Sequence, residues 1–195
     1  SPKRDITVSQ WRKSLHAGKI TAMDTSSAKL ELRKSIKLQR PQSSLGLLEQ
    51  LQNLAKKTNA SNIASYSPLY GEPDLKPFND WVAESANLYF PRVVHDKLEF
   101  AKGPLRIGRF EIMEPTGSAI LSSALDLILV PALAADVLGN RLGKGKGFYD
   151  RWLEDVASKN IFAVVFDSEV LELVPSEPHD KKINGIVTPT RLIAI

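Results

Sequence analysis

The chain has 195 residues, of which 43% are apolar and 25% charged, and its net charge is +4. A chain of this size and composition is expected to form one soluble domain whose core needs no disulfide or structural metal. Cysteine is absent, which excludes a disulfide framework, a thiolate zinc site and a cysteine nucleophile, and is typical of a reducing compartment.

The positive charge is concentrated at the beginning of the chain. Residues 1–57 carry 12 Lys/Arg and 4 Asp/Glu, whereas residues 58–195 carry 14 and 18. The corresponding net charges are +8 and −4, which sum to the +4 of the whole chain. This asymmetry indicates an anionic partner, either a nucleic acid or the phosphates of a nucleotide, and a solvated basic helix face is the alternative.

We expect a cytoplasmic protein without a membrane partner. The most apolar stretch, residues 124–138, is interrupted by Asp126, Pro131 and Asp136 and is too short to cross a bilayer. The first residues lack the apolar core of a signal peptide.

The predicted elements begin with helices. Residues 1–27 are interpreted as an N-terminal extension, with apolar residues at helical spacing over 8–15, and residues 28–195 as a single domain. A helix predicted from residue 26 or 27 stops before Pro41 and places Lys29 and Arg33 on one face. An amphipathic helix is predicted to follow from residue 43 or 44.

Strands and helices then alternate. Predicted strands occupy residues 63–66, 88–94, 98–101, 109–113, 125–130, 161–166 and 192–195, and predicted helices occupy residues 75–86 and 148–158. The second and third strands could form a hairpin around Asp96 and Lys97. This order predicts a three-layer α/β/α sandwich with a mostly parallel sheet and a helical N-terminal region.

A glycine-rich loop follows the buried strand that ends near Pro131. Residues 139–147 contain Gly139, Gly143, Gly145 and Gly147 together with the cations Arg141, Lys144 and Lys146. Glycines allow a close approach of the backbone to a ligand, and amides that lead into a helix form an anion cradle. Asp150, one turn into the helix, could hold a cation on phosphate oxygens. The loop predicts a polyphosphate site with a divalent metal, and a purely structural turn is the alternative.

Two common phosphate-binding motifs do not fit this loop. A Walker A loop requires Ser or Thr after a Gly-Lys pair, and GKGKG has the wrong spacing for the dinucleotide fingerprint. The longer pattern NRLGKGKGFYDR, residues 140–151, instead resembles the signature of 5-formyltetrahydrofolate cyclo-ligases, also called methenyltetrahydrofolate synthetases. Further segments agree over about residues 28–192, and they contain Lys29 and Arg33, Glu72, Pro91–Arg92, Met113–Pro115, His179–Asp180 and Val187–Thr188.

The resemblance implies a reaction in which ATP and Mg²⁺ convert 5-formyltetrahydrofolate to 5,10-methenyltetrahydrofolate. It implies that the ATP phosphates contact Lys29, Arg33, Arg141, Leu142, Gly143, Lys144, Gly145, Lys146, Gly147, Phe148 and Tyr149. Arg141, Lys144 and Lys146 would carry the catalytic charge neutralisation, and Asp150 and Asp180 would bind the metal. The reduced folate would contact Ser67, Glu72, Arg92, Lys144, Gly145, Lys146, Gly147 and Phe148, with Glu72 on the pterin.

Several positions depart from the family pattern. Ala132, Ala135, Phe148, Glu169 and Asn184 stand where the family usually has Gly, Phe, Tyr, Gln and Asp. A divergent paralogue that uses the ATP site on another small molecule therefore stays open. A non-catalytic nucleotide or nucleic-acid binder is disfavoured, because Trp11 is the only aromatic residue in the basic third and both metal carboxylates are retained. We expect a monomer that binds no nucleic acid.

Overall fold

The computed structural model describes residues 25–41, 43–108 and 111–195. The helices are α1 (Thr25–Gln39), α2 (Leu47–Thr58), α3 (Lys76–Ser85) and α4 (Phe148–Leu153). The strands are β1 (Asn62–Ala64), β2 (Asn87–Val94), β3 (Lys97–Ala101), β4 (Leu105–Ile107), β5 (Met113–Pro115), β6 (Ala119–Ile120), β7 (Leu127–Pro131), β8 (Ala134–Asp136), β9 (Arg141–Leu142), β10 (Ile161–Val164), β11 (Val170–Leu171), β12 (Gly185–Val187) and β13 (Leu192–Ala194). None of these helices is long and apolar enough to cross a membrane.

A large, mostly parallel sheet forms the centre of the molecule and confirms the predicted fold class. Its strand order is β13-β12-β10-β7-β1-β2-β3-β6. The five strands from β12 to β2 are parallel, and antiparallel pairings add β13 at one edge and β3 and β6 at the other. The predicted β2–β3 hairpin is confirmed, and its turn residues His95 and Asp96 both have a positive φ, as a tight two-residue turn requires.

Side chains from the central strands alternate between two cores. Leu127 and Leu129 pack with α2 and α3 on one face, whereas Ile128 and Val130 pack on the other face with α4. A continuously apolar strand is expected where both faces of a sheet are covered. The polar Asp126 lies just before β7, where its carboxylate accepts hydrogen bonds from the amides of Ser61 and Asn62.

A second, smaller sheet connects the N-terminal helix to the site. β8 pairs with β11 and β9, and Leu32 and Ile36 of α1 pack against this unit. Asp136, which is fully buried, accepts hydrogen bonds from the amides of Leu138, Asn140 and Val174. The buried carboxylate therefore fixes the β8–β9 turn and the chain after β11.

Most predicted elements are present, with differences in their bounds. Of the strand predicted over residues 109–113, residues 109 and 110 lie outside the described residues, and the prediction is wrong for the part that follows. Only Met113 lies in a strand, as the first residue of β5, and Glu111 has a φ of 59°, which is incompatible with an extended strand. The helix predicted to end at residue 158 stops at Leu153, after which hydrogen bonds span only three residues. The predicted helix over residues 8–15 lies outside the described residues.

Candidate active site

A cavity of about 550 Å³ opens beyond the carboxyl ends of the central parallel strands. Tyr66, which follows β1, Arg92 near the end of β2 and Pro131 at the end of β7 all line it. Ligands of open α/β sheets bind at this edge, and the volume is in the range of small-molecule sites. Every site residue predicted from the sequence lines this one cavity, although they come from distant parts of the chain.

The glycine-rich segment divides into two turns with different surroundings. Gly139 lies in the β8–β9 turn, where a Cβ atom would approach the Ile183 carbonyl to 2.9 Å, and it does not line the cavity. Gly145 and Gly147 have φ values of +99° and +68° and do line it. Gly143 has no positive φ, and a Cβ atom there would meet nothing within 4 Å. The cavity loop is therefore residues 143–147, and Gly139 is a structural glycine.

Cationic side chains surround this loop. The Arg33 guanidinium lies across it, donating a hydrogen bond from Nε to the Gly143 carbonyl at 2.8 Å. Arg141 is buried, and its guanidinium bonds the Lys181 carbonyl at 2.8 Å and the Asp150 carboxylate at 2.9 Å. These side chains and the loop amides therefore place positive charge around the cavity loop.

Helix α1 contributes a buried lysine to an ion-pair cluster that lines the cavity. Lys29 is buried, and its Nζ lies 2.5 Å from a Glu177 oxygen and 2.6 Å from an Asp180 oxygen. The predicted alignment of Lys29 and Arg33 on one helix face is confirmed, since both line the cavity. Glu177, which lies 148 positions from Lys29 along the chain, was not among the site residues predicted from the sequence.

Two carboxylates and one imidazole near the loop form a group of possible metal ligands. Glu177, His179 and Asp180 offer ligand atoms within 4.8 Å of one another. Asp150 also lines the cavity and accepts hydrogen bonds from Arg141 and from the Lys181 amide. Carboxylate oxygens are the ligands that Mg²⁺ prefers in proteins, so the residues present fit such an ion.

Glu72 bonds to residues of two different loops that line the cavity. Its side chain is only 4% exposed, and one carboxylate oxygen lies 2.5 Å from Nζ of Lys144 in the glycine loop. The other oxygen accepts a hydrogen bond from the Leu69 amide at 2.7 Å. A carboxylate has about four acceptor positions, so Glu72 retains capacity for ligand N–H groups.

The remaining predicted folate residues differ in their surroundings. Ser67 and Phe148 line the cavity. Arg92 also lines it, but its guanidinium bonds Glu99 at 2.6 Å and the carbonyls of Pro115 and Gly117 at 3.0 and 2.8 Å. Arg92 therefore holds β2 against neighbouring segments of the chain, a structural role that was not predicted from the sequence.

Two tyrosines in the wall carry buried hydroxyls; Tyr149 was predicted to contact the ATP phosphates, whereas no polar contact was predicted for Tyr66. The hydroxyl oxygens of Tyr66 and Tyr149 are buried and bond to no atom of the described residues. Burial, followed by the negative charge of Glu72, raises the pKa of each phenol well above its ordinary value. Tyr70 is 98% exposed and lies outside the cavity lining.

A buried ion pair lies close to Tyr66. Arg40 Nε is 2.6 Å from the carboxylate of Glu169, and both side chains are buried. Desolvation raises the pKa of Glu169, while hydrogen bonds from Arg40 and from the Phe166 amide act in the opposite direction. Arg40 also bonds the Ala132 carbonyl at 3.0 Å. Glu169, one of the departures from the family pattern, therefore has a defined partner in this chain.

The fold and the site together define an α/β protein with a cationic glycine loop and a carboxylate-lined cavity at the carboxyl edge of its sheet. The model of the 5-formyltetrahydrofolate cyclo-ligase family matches residues 12–189. The chain is 35% identical over 149 residues to the 5-formyltetrahydrofolate cyclo-ligase of Mycolicibacterium smegmatis, covering 69% of this chain and 77% of that protein. The chain belongs to the 5-formyltetrahydrofolate cyclo-ligase family.

Two further relatives agree with this assignment. The Haemophilus influenzae 5-formyltetrahydrofolate cyclo-ligase is 31% identical over 165 residues, covering 77% of this chain and 87% of that protein. The solved structure of the 5,10-methenyltetrahydrofolate synthetase of Aquifex aeolicus superposes with a TM-score of 0.74 at 30% identity, covering 85% of this chain and 92% of that one. The similarity to these relatives therefore covers most of the chain and is not confined to the glycine-rich motif.

Proposed function

We propose that this chain closes the ring of 5-formyltetrahydrofolate to give 5,10-methenyltetrahydrofolate, with ATP converted to ADP and phosphate. The observation that carries the proposal is the contact between Lys144 and Glu72. It brings a loop suited to phosphates and a buried carboxylate suited to ring N–H groups into one cavity, in a member of this family. The small-molecule substrates would meet there.

The chemistry requires activation of the formyl oxygen, which is a poor leaving group. The formyl oxygen attacks the γ-phosphorus of ATP, the bond to the bridging oxygen breaks, and ADP leaves. The N10 amine then attacks the formyl carbon and loses its proton. The bond between the formyl carbon and its phosphorylated oxygen breaks, and phosphate departs. In the product, partial double-bond character is shared by the bonds from the former formyl carbon to N5 and N10. Positioning and charge neutralisation carry such a phosphoryl transfer, and a protein nucleophile is not needed.

The chain's own residues divide this work. The 143–147 loop would hold the triphosphate with its amides, while Lys29 and Arg33 approach it from α1. Lys144 and Lys146 would neutralise the charge of the moving phosphoryl group. Arg141, whose guanidinium bonds Asp150 and the Lys181 carbonyl, adds positive charge and keeps Asp150 in place.

Asp150 and Asp180 would hold Mg²⁺, with Glu177 as a further oxygen donor. When bound, the ion would supply compensation for the negative charge of the phosphate oxygens. Lys29 already lies between Glu177 and Asp180, so its ammonium keeps these two carboxylates together before the ligand arrives.

Glu72 would hold the pterin. The amino group and the neighbouring ring N–H of a 2-amino-4-oxo ring form a donor pair that matches a carboxylate. The apolar side chains of Leu69, Val93, Leu98 and Ile112 line the same cavity and would contact the flat ring and keep water away from the reacting atoms.

The direct test is to mix the protein with 5-formyltetrahydrofolate, ATP and Mg²⁺ and to record the near-ultraviolet absorbance of the methenyl product. Product is expected only when all three are present. The variant Glu72→Gln should raise the Kd for folate more than the Kd for ATP, whereas the control Glu84→Gln, on the exposed face of α3, should change neither. A wild-type protein that forms no methenyl product would contradict the proposal.

A further inference from the structure

The wall of the cavity contains two hydroxyls without a protein partner. Tyr66 and Tyr149 both line the cavity, and both hydroxyl oxygens are buried without a hydrogen bond from the described residues. A buried polar group that lacks a partner destabilises the protein, and native proteins rarely keep one without a reason. Two such groups in one wall indicate that a ligand supplies the missing partner.

The Tyr66 hydroxyl is held in place by the core. The Tyr66 ring belongs to the hydrophobic cluster that α2 and α3 form against the sheet. Its backbone carbonyl accepts a hydrogen bond from the buried Asn79 side chain at 3.0 Å, and Asn79 in turn accepts one from Ser65 at 2.6 Å. The packed ring and the bonded backbone therefore restrain the Tyr66 side chain before any ligand binds.

The neighbours of the hydroxyl define which group it can contact. After burial, Glu72 and Tyr149 are the groups that most raise the pKa of Tyr66; Arg40 acts to lower it and Glu169 to raise it. At neutral pH the phenol is therefore protonated, so that it can donate a hydrogen bond. The donor hydroxyl of Tyr66 and the acceptor carboxylate of Glu72 belong to residues that line the same cavity.

This arrangement matches the edge of a 2-amino-4-oxo pterin ring. Along that edge the ring presents two donors, the amino group and the ring N–H, followed by an acceptor, the carbonyl oxygen. A carboxylate accepts from the two donors, and a hydroxyl beside it meets the carbonyl. We propose that the Tyr66 hydroxyl donates a hydrogen bond to this carbonyl oxygen, which makes Tyr66 a substrate-recognition residue; the inference rests on the proposed function.

The substitution Tyr66→Phe tests this contact because it removes only the hydroxyl. The Kd for 5-formyltetrahydrofolate is expected to rise about 3- to 10-fold, the effect of one neutral hydrogen bond. The Kd for ATP with Mg²⁺ should stay unchanged, and the folate KM should rise while kcat changes little. The melting temperature should equal or exceed that of the wild type, because an unsatisfied buried hydroxyl has been removed.

Tyr89→Phe provides the matched control. The Tyr89 hydroxyl contacts Asn62 at 3.4 Å and does not line the cavity, so its loss should leave both ligand affinities unchanged. Unaltered folate affinity in Tyr66→Phe would overturn the inference while product formation by the wild type upholds the proposed function. Equal losses for folate and ATP, with a lowered melting temperature, would also overturn it. A wild-type protein that binds no 5-formyltetrahydrofolate would overturn the proposed function and this contact with it.

Discussion

The substitution Gly143→Ala tests whether the bound ligand or the fold requires a glycine at this position. In the structure a Cβ atom at Gly143 meets nothing within 4 Å, and its φ is not positive. The added methyl group is therefore compatible with the folded chain and should stabilise it by about 0.4–1 kcal/mol through the unfolded state. For a chain of this size that corresponds to a rise of about 1–4 °C in melting temperature.

The same methyl group would occupy cavity space beside the loop amides. A phosphate that packs directly against the backbone at this glycine, which has no Cβ atom, would collide with the added methyl group. We expect the Kd for ATP to rise at least about tenfold, equivalent to about 1.4 kcal/mol. Isothermal titration with ATP and Mg²⁺ and thermal melting measure the two effects independently.

Gly139→Ala is the control for this prediction. Gly139 has a φ of +82° and a potential Cβ contact of 2.9 Å with the Ile183 carbonyl, and it lies outside the cavity. A left-handed φ costs a non-glycine residue about 1–2 kcal/mol, so this variant should melt about 2–8 °C lower and keep its ATP affinity. If Gly143→Ala destabilised the protein as much as Gly139→Ala, or bound ATP normally, the reasoning about the loop would be refuted.

Three other substitutions test the polar groups of the structure. Asp150→Asn should abolish Mg²⁺-dependent turnover with little change in melting temperature; near-normal kcat would reject its proposed role. Arg40→Met should lower the free energy of unfolding by about 3–5 kcal/mol, because it leaves the buried Glu169 carboxylate unpaired. In urea titrations the double variant Arg40→Met/Glu169→Gln should recover most of this loss. If the effects of the two substitutions were fully additive, the result would argue against the ion pair. Burial acts to raise the pKa of Asp167, but hydrogen bonds from Thr190, Thr188 and Arg191 lower it overall, so its stabilising contribution is present above its unfolded-state pKa and is lost as the pH falls through the lowered folded-state value. Asp167→Asn should therefore lower the melting temperature more at pH 7 than at a pH below the folded-state pKa of Asp167. A difference in melting temperature that does not depend on pH would contradict this.

The sheet could be predicted because its central strands are apolar on both faces. Residues 127–130 and 161–164 are fully buried, so their continuous hydrophobicity has a direct structural meaning. The strands β4 and β5, which form a separate two-stranded sheet, have three residues each and mix polar with apolar side chains. The end of α4 was also missed, because the chain tightens to hydrogen bonds of three-residue span after Leu153, with apolar residues still at helical spacing.

The cavity residues could be predicted from motifs, but their partners could not. The loop pattern predicted that Lys144 lies near phosphates, and the family resemblance implied that Glu72 binds a pterin, yet their contact depends on how two loops pack. Sequence alone likewise does not reveal that the Tyr66 hydroxyl lacks a partner, since any nearby acceptor would have satisfied it. Groups that accept hydrogen bonds from Arg92 lie on β3 and β5, which approach it only in the folded chain.

The central claim is that this cavity transfers the γ-phosphoryl group of ATP to the formyl oxygen of the folate. The most direct measurement uses 5-formyltetrahydrofolate labelled with ¹⁸O in the formyl group, incubated with the protein, ATP and Mg²⁺. Mass spectrometry of the released phosphate is predicted to show one labelled oxygen for each methenyl product formed. Methenyl product accompanied by unlabelled phosphate would contradict the account.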